Sequence, residues 1–332
     1  FSLGAALMSV LYLHIGTNKT GTSAIQRYFN THRAALLRQR LLYPVTGCNG
    51  EAHYGFSRAL GFSHGPQANS AAELGALSRQ LQNEVKKSRA NTCVISSEDF
   101  ILPKPVAAVR KFFEGFECRV VVYLRRHDYW WESAYAQAVK MKENPPWGRG
   151  IGHFINFNAR KNPNYGNYRF LVDRWADVFG ADRMIVRPYE PAQNPGGVVA
   201  DFLRTLGLPE AAEQAANNVE RVNESLSHRA LFILDILQRA KIDPSVRADL
   251  SRKLLADTWK RSGRSLMSPL LRRELVERNL DDYAYSAKKY LGRKDGKLFT
   301  EPLPDADEPW KAPAMPNMVE VVTHVVNYCA RR

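Results

Sequence analysis

The stretch that decides the fold is residues 10–26, which read VLYLHIGTNKTGTSAIQ. An apolar run over 10–15 leads into a turn that holds two glycines, a lysine and several hydroxyls, and a helical pattern follows. A strand, a glycine-containing turn and a helix N-terminus in this order build an oxyanion site, because the N–H groups of the turn and the helix dipole favour an anion at the same point. The stretch therefore predicts a phosphate-binding loop.

The position of the lysine distinguishes this loop from that of nucleoside triphosphatases. The Walker pattern is Gly-x4-Gly-Lys-Ser/Thr. Gly16 and Gly21 have that separation, but Thr22 occupies the lysine position and the lysine is Lys19, inside the loop. This arrangement favours a nucleotide other than a magnesium-bound triphosphate.

A second element for binding an anion follows a later strand. The apolar run over 120–124 ends at Arg125, and Ser133 comes eight residues later on a helical stretch. An arginine at a strand end can form a bidentate pair with a phosphate, and a serine about two turns into the next helix can add a neutral donor. Arg125 and Ser133 therefore predict a second phosphate site.

The first loop resembles the 5′-phosphosulfate loop of sulfotransferases that use 3′-phosphoadenosine 5′-phosphosulfate (PAPS). The matching residues run through the turn and the helix start: Lys19, Thr20, Gly21, Thr22 and Ser23. We expect Lys19 to neutralise the bridging and leaving oxygens of the donor. The backbone N–H groups that follow it are expected to bind the 5′-phosphate, and the hydroxyls of Thr22 and Ser23 to add hydrogen bonds.

Two further stretches extend the resemblance over residues 9–210. The Arg-x7-Ser spacing of Arg125 and Ser133 is similar to the family's 3′-phosphate site. Tyr189 follows the apolar strand 183–186, and in the family a tyrosine at this point lies against the adenine. The resemblance implies a PAPS-dependent sulfotransferase whose second product is adenosine 3′,5′-bisphosphate (PAP).

Two residues are candidates for the base that takes the proton of the acceptor. Glu98 follows the apolar strand 92–96 and is expected at the carboxyl edge of the sheet, where open α/β sheets bind ligands. His53 is the competitor, because histidine titrates near neutral pH and serves as the base in part of the family. The sequence leaves both open.

Short apolar runs alternate with helical patterns along the chain, which predicts an α/β fold: a P-loop-type parallel β-sheet flanked by helices, with a helical C-terminal extension. The predicted strands are 10–15, 92–96, 120–124 and 183–186. The predicted helices are 23–42, 71–87, 106–113, 129–142, 168–179, 198–206, 226–240, 245–262, 270–291 and 318–330.

A single sulfotransferase-like domain over 8–332 is the simplest division. Its parts are a PAPS-binding core over 8–210, a helical extension over 211–300, and a Pro-rich arm with a terminal helix over 301–332. Met8 is interpreted as the natural start. Residues 143–167, rich in Pro, Gly and Asn, are predicted to form a long loop that contacts the acceptor.

The charge of the chain points to an anionic ligand. Lys and Arg number 47 against 33 Asp and Glu, a net charge of +14 among 332 residues. Together with the resemblance, which is to bacterial members of the group, this excess implies a carbohydrate or glycolipid acceptor. No nucleic-acid partner is expected, because no zinc pattern, RNP-like aromatic motif or basic region joined to heptads is present.

The remaining expectations concern surroundings and chemistry. No apolar run reaches the ~18 residues of a membrane span, and the chain is interpreted as cytoplasmic, with a homodimer through the C-terminal helices left open. No metal is expected, because the strand 120–124 ends in Arg125 rather than in the acid that a magnesium site favours. The alternatives are a P-loop nucleotide kinase and a non-catalytic polyanion-binding protein.

Overall fold

The computed structural model describes residues 9–17, 19–63, 69–217, 227–256 and 265–330. These residues fall into two compact units, each assembled from separate stretches of the chain. The described residues of the first unit are 9–17, 19–63, 69–125, 167–217 and 280–301. Those of the second unit are 126–166, 227–256, 265–279 and 302–330.

The first unit is built on a parallel sheet of five strands in the order β2-β3-β1-β4-β5. The strands are β1 Val10–His14, β2 Leu41–Leu42, β3 Thr92–Ser96, β4 Glu117–Leu124 and β5 Met184–Pro188. The strand β1 lies in the middle, with Leu13 opposite Ile95 on one side and Val120 on the other. The α/β fold class and the four predicted strands are confirmed.

Helices of the first unit cover this sheet. They are α1 Thr22–Thr31, α2 Arg33–Arg38, α3 Tyr54–Ala59, α4 Ala71–Ser88, α5 Ala107–Phe112, α8 Tyr168–Phe179, α9 Gly197–Thr205, α10 Pro209–Asn217 and α14 Leu280–Leu291. The helix α1 buries Ile25 and Phe29, and the Phe29 ring meets Phe202 of α9 with centroids 5.4 Å apart. A separate buried aromatic group joins Phe62 and Phe100 to Trp175.

The prediction of a single helix over 23–42 is wrong. Two helices and a short strand occupy that stretch, because Arg40 adopts a left-handed conformation (φ 62°) that ends the helical run. Leu41 and Leu42 then pair with Thr92 and Cys93 of β3. A strand of two residues is too short to produce a period in the sequence, so this edge of the sheet was missed.

Helices make up the second unit, with a long segment of irregular chain. They are α6 His127–Met141, α7 Ile151–Lys161, α11 His228–Arg239, α12 Pro244–Ala256, α13 Pro269–Glu277 and α15 Met318–Ala330. Their core contains Trp131, Phe154, Leu234 and Leu254. The prediction that 143–167 forms a long loop is wrong, because α7 lies within it and buries Ile151, Phe154 and Ile155 at helical spacing.

The helix predicted over 270–291 is two helices, α13 and α14, which belong to different units. The unit boundaries therefore differ from the predicted divisions at 210 and 300, and the single domain over 8–332 stays a prediction. The start at Met8, residue 226 of one predicted helix and residues 257–262 of another lie outside the described residues.

Candidate functional site

The order of the strands places a crevice at the carboxyl ends of β1 and β4. After β1 the chain passes to the side of the sheet that holds β3 and β2, and after β4 it passes to β5 on the other side. Neighbouring strands whose connections diverge in this way leave a crevice between them, and open α/β sheets bind ligands there. The segment that follows β1 is the predicted phosphate loop, and the residue that follows β4 is Arg125.

Among the described residues of the loop after β1, Gly16 (φ 57°), Lys19 (φ 72°) and Gly21 (φ 78°) are in the left-handed conformation. Left-handed residues in a short turn direct backbone N–H groups toward a common point and form an anion-binding nest. Glycine is required at Gly21, since a Cβ there would lie 2.6 Å from Val198 Cγ1. Lys19 is in the same left-handed region although it has a side chain, so its backbone is strained. Backbone strain of this kind is typical of functional sites.

Two buried hydroxyls hold the shape of this loop. Thr17 Oγ1 donates to the carbonyl of Tyr123 at 2.6 Å, and Thr20 Oγ1 donates to the carbonyl of Thr17 at 2.7 Å. At the end of the loop the helix α1 begins after Gly21 with no side-chain cap. The first N–H groups of a helix have no intrahelical acceptor, so this end can bind an anion. Thr22 is buried in the first turn and Ser23 is exposed.

Arg125 reaches back from the end of β4 to the loop. Its guanidinium donates from Nη1 to the carbonyl of Lys19 at 2.9 Å, and its Cζ lies 5.4 Å from the centre of the Tyr189 ring. The hydroxyl of Tyr168 donates to the Arg125 carbonyl and accepts from the Arg125 N–H. The loop, the end of β4 and the residue after β5 therefore meet at one edge of the sheet.

Tyr189 is fixed by its neighbours in the first unit. Its N–H donates to the carbonyl of Leu124 at 2.6 Å, and its ring edge comes within 3.3 Å of where a Cβ on Gly21 would stand. The next residue, Glu190, is buried and accepts from the N–H and hydroxyl of Thr300 and from the N–H of Glu301. Burial alone would raise the pKa of Glu190, but these donors lower it, so the carboxylate stays charged and ties 300–301 to the end of β5.

Glu98 lies beside the loop, after β3. A Cβ on Gly16 would stand 3.3 Å from Glu98 Cβ, so the backbone of the two segments is in close contact. Glu98 Oε2 accepts from Gln26 Nε2 at 2.8 Å, and Oε1 accepts from the Tyr54 hydroxyl at 2.5 Å. Glu98 as a whole is half-buried.

His53 is a core residue in the structure. It is fully buried, its Nε2 donates to the carbonyl of Pro44 at 3.0 Å, and its Nδ1 accepts from the N–H of Ser96 at 3.1 Å. Burial lowers the pKa of His53 to about 4, so the ring is neutral near pH 7. With both nitrogens bonded to backbone groups, the ring has no lone pair to offer to an acceptor's proton.

Ser133 lies half-buried on α6, in the second unit, whereas Arg125 belongs to the first. Its predicted part in a 3′-phosphate site stays a prediction. Lys19, Thr20, Gly21, Thr22, Arg125 and Tyr189 come together in the first unit, and Ser23 is on the exposed side of the first turn of α1.

Two residues of the site were missed from the sequence. Gln26 shares the buried face of α1 with Ile25 and Phe29, so a polar residue at a core position was the available signal. Tyr54 is at the start of the short helix α3, and the neighbouring sequence carries no motif that would mark it as a site residue. Its hydroxyl stays protonated, because burial and the charge of Glu98 raise the pKa of Tyr54.

Two known proteins show similarity to this chain, one in sequence and one in structure. No family model matches the chain. The chain is 30% identical over 218 residues to an uncharacterised protein of Archaeoglobus fulgidus, a match that spans 63% of this chain and only 56% of that protein. It is also similar to the crystal structure of a sulfotransferase from Alicyclobacillus acidocaldarius, with 17% identity, a TM-score of 0.39, and coverage of 82% of this chain and 97% of that one.

The part of the chain that the structure describes offers neither a metal cluster nor a membrane span. It contains no cluster of three or more His, Cys, Asp or Glu side chains suited to a metal ion. Within the same ranges, none of the helices combines the length and the apolar character needed to cross a bilayer.

Proposed function

We propose that the protein transfers a sulfonate group from PAPS to a hydroxyl or amine of an acceptor and releases PAP. The observation that carries this proposal is the meeting of the loop 16–21 and Arg125 in the crevice between β1 and β4. Two cationic residues from different segments, Lys19 and Arg125, thereby lie at one edge of the sheet, joined by a hydrogen bond. A donor whose ribose carries anionic groups at its 3′ and 5′ positions needs such a pair.

Each residue has a task in this reaction. Lys19 and the N–H groups at the start of α1 stabilise the charge that develops on the 5′-phosphate as its bond to sulfur breaks. Arg125 binds the 3′-phosphate, and Tyr189 lies against the adenine. Glu98 takes the proton of the acceptor while the new bond to sulfur forms, since His53 is occupied by backbone groups. The excess of positive charge favours an anionic acceptor such as an acidic glycan or glycolipid.

Nucleotide binding tests the donor. PAP without magnesium should raise the melting temperature of the whole chain, because a ligand that binds only the folded state stabilises it by mass action. The shift should vanish in Arg125→Ala and remain in Arg38→Ala, a control arginine that is exposed on α2. Stabilisation by ATP with magnesium and none by PAP would instead identify a P-loop kinase.

Turnover tests the reaction itself. Labelled PAPS incubated with a panel of acidic glycans, glycolipids and small phenols should give a labelled acceptor and PAP in equal amounts. Binding of PAP or of heparin-like polymer with no transfer to any acceptor would contradict the enzyme and favour a non-catalytic polyanion-binding protein.

A further inference from the structure

Glu98 lies at the end of a chain of hydrogen bonds that runs through the interior of the first unit. His14 Nδ1 is 2.8 Å from Ser96 Oγ, and Ser96 Oγ accepts from Gln26 Nε2 at 3.2 Å. The same Gln26 nitrogen donates to Glu98 Oε2 at 2.8 Å. His14, Ser96 and Gln26 are all buried, so water does not compete for these bonds.

The acceptors in this chain determine how the amide of Gln26 is oriented. A carboxylate accepts hydrogen bonds and does not donate them, so the nitrogen of Gln26 must face Glu98. Its second N–H then reaches Ser96 Oγ, which leaves the serine proton for His14 Nδ1. Burial lowers the pKa of His14 to about 3, so this ring is neutral and its Nδ1 can accept a hydrogen bond from the Ser96 hydroxyl. Both N–H groups of Gln26 are therefore in use, and the side chain is rigid.

The second oxygen of Glu98 is held from the opposite side. Tyr54 donates to Oε1 at 2.5 Å, and the guanidinium of Arg58 lies 5.0 Å from the centre of the Tyr54 ring. Arg58 is in turn within 3.7 Å of the Asp99 carboxylate. Gln26 belongs to α1 and Tyr54 to α3, so two helices hold the two oxygens of one carboxylate.

We infer that Gln26 and Tyr54 are positioning residues that orient Glu98 as the base of the proposed transfer. This inference rests on the proposed function. Gln26 lies on α1, the helix that begins directly after the loop. Its hydrogen bond to Glu98 therefore fixes the position of that carboxylate relative to the loop that binds the 5′-phosphate. The reacting oxygen of the acceptor and the bond to be broken are thereby held at a constant separation, on which rates of group transfer depend steeply.

A double-mutant cycle on turnover tests the inference. Gln26→Leu has a similar volume and no hydrogen-bonding groups; it should lower kcat by 10- to 100-fold and leave the melting-temperature shift with PAP unchanged. In a Glu98→Gln background it should have almost no further effect, because the group that it positions is already lost. Gln82→Leu, an exposed glutamine on α4, is the matched control.

Tyr54→Phe should behave in the same way, with Tyr28→Phe as its control. Gln26→Leu could instead lower the kcat of Glu98→Gln by the same factor as it lowers the kcat of the wild type. That result would overturn the inference while leaving the proposed function in place. A loss confined to KM would overturn it as well.

Thermal unfolding without nucleotide gives a second cycle that does not depend on activity. The melting-temperature losses of Gln26→Leu and Glu98→Gln should be less than additive in the double variant, because the two side chains share one hydrogen bond. Strict additivity would overturn the inference. If the wild type transfers no sulfonate, the proposed function fails and the role of Gln26 in transfer fails with it. Less-than-additive losses of melting temperature would then support only the hydrogen bond between Gln26 and Glu98.

Discussion

At the scale of single residues, the loop after β1 contains a lysine in a backbone conformation that residues other than glycine rarely adopt. Lys19 has φ 72° inside the predicted phosphate loop, where a glycine would be free of strain. Its carbonyl accepts from Arg125, so the strained backbone also aligns the loop with the end of β4. We interpret the lysine as retained for its charge.

Replacement of Lys19 by glycine tests this interpretation. Lys19→Gly should leave the protein as stable as the wild type, or more stable by up to about 1 kcal/mol, because the strain is relieved. Turnover should fall by at least about 100-fold, because the charge at the leaving group is lost. Arg89→Gly is the control: Arg89 is exposed, has φ 55° at the end of α4, and should change stability without changing turnover. Equal turnover in Lys19→Gly would contradict the role of the lysine.

At the scale of elements, the loop is shaped by what packs against it. The turn at Gly21 touches α9 through Val198 and touches Tyr189, which follows β5. The N-terminus of α1 is therefore placed by an element far away in the sequence.

A pair of glycine substitutions separates this packing from backbone strain. Gly21 and Gly207 have nearly the same φ, 78° and 77°, but a Cβ on Gly207 would meet nothing within 4 Å. Gly207→Ala should cost about 1 kcal/mol of stability through its φ alone. Gly21→Ala should cost more, because of the contact with Val198, and should also weaken PAP binding. Equal losses of melting temperature and of PAP affinity in the two variants would refute the packing argument.

In the second unit, a buried carboxylate joins α6 to α13. Asp128 accepts from Arg126 at 2.9 Å and from Arg272 at 2.8 Å, and the side chain has no exposed area. Burial by itself raises the pKa of Asp128, but the two guanidiniums outweigh it and hold the pKa below its ordinary value of 3.8. The stabilisation is therefore complete above about pH 4 and is lost as the pH falls through the lowered pKa.

Asp128→Asn should reveal this dependence. It should lower the unfolding free energy by about 3–5 kcal/mol at pH 7, because two arginines lose their charged partner. The difference from the wild type should shrink below pH 4, because the unfolded chain then binds a proton at Asp128 that the folded chain, with its lowered pKa, binds only at still lower pH. Glu277→Gln, which breaks an exposed pair with Arg273, should cost under about 1 kcal/mol at either pH. A loss that is the same at pH 3 and pH 7 would contradict the assignment.

At the scale of the whole molecule, acid sensitivity comes from histidines folded in the neutral form. Burial lowers the pKa of His14 to about 3 and those of His53 and His127 to about 4, against an ordinary value of 6.5. The unfolded chain therefore binds more protons than the folded one between about pH 4 and 6.5. Stability should be constant above that range and fall within it, by up to about 1.4 kcal/mol per pH unit for each histidine.

Denaturant titrations between pH 4.5 and 7.5 measure this slope. Added salt should recover only part of the loss, because screening weakens the repulsion among the excess positive charges but does not remove the cost of protonating a buried ring. Substitution of His32 and His153, both exposed, by glutamine should leave the slope unchanged. A flat stability profile between pH 5 and 7 would contradict the burial of these rings in neutral form.

The sequence alone determined four of the five strands, the glycine-containing turn after β1 and the residues that follow the strands, because each is a local pattern of apolar runs and turn residues. Strand ends in a parallel sheet share one edge, so Lys19, Glu98, Arg125 and Tyr189 could be assigned to that edge in advance. Only the tertiary structure decided that Gln26 and Tyr54 hold Glu98, that His53 is a core residue, and that Leu41 and Leu42 form an edge strand. Those outcomes depend on contacts between residues 43 to 72 positions apart, for which no short window of sequence carries a periodic signal.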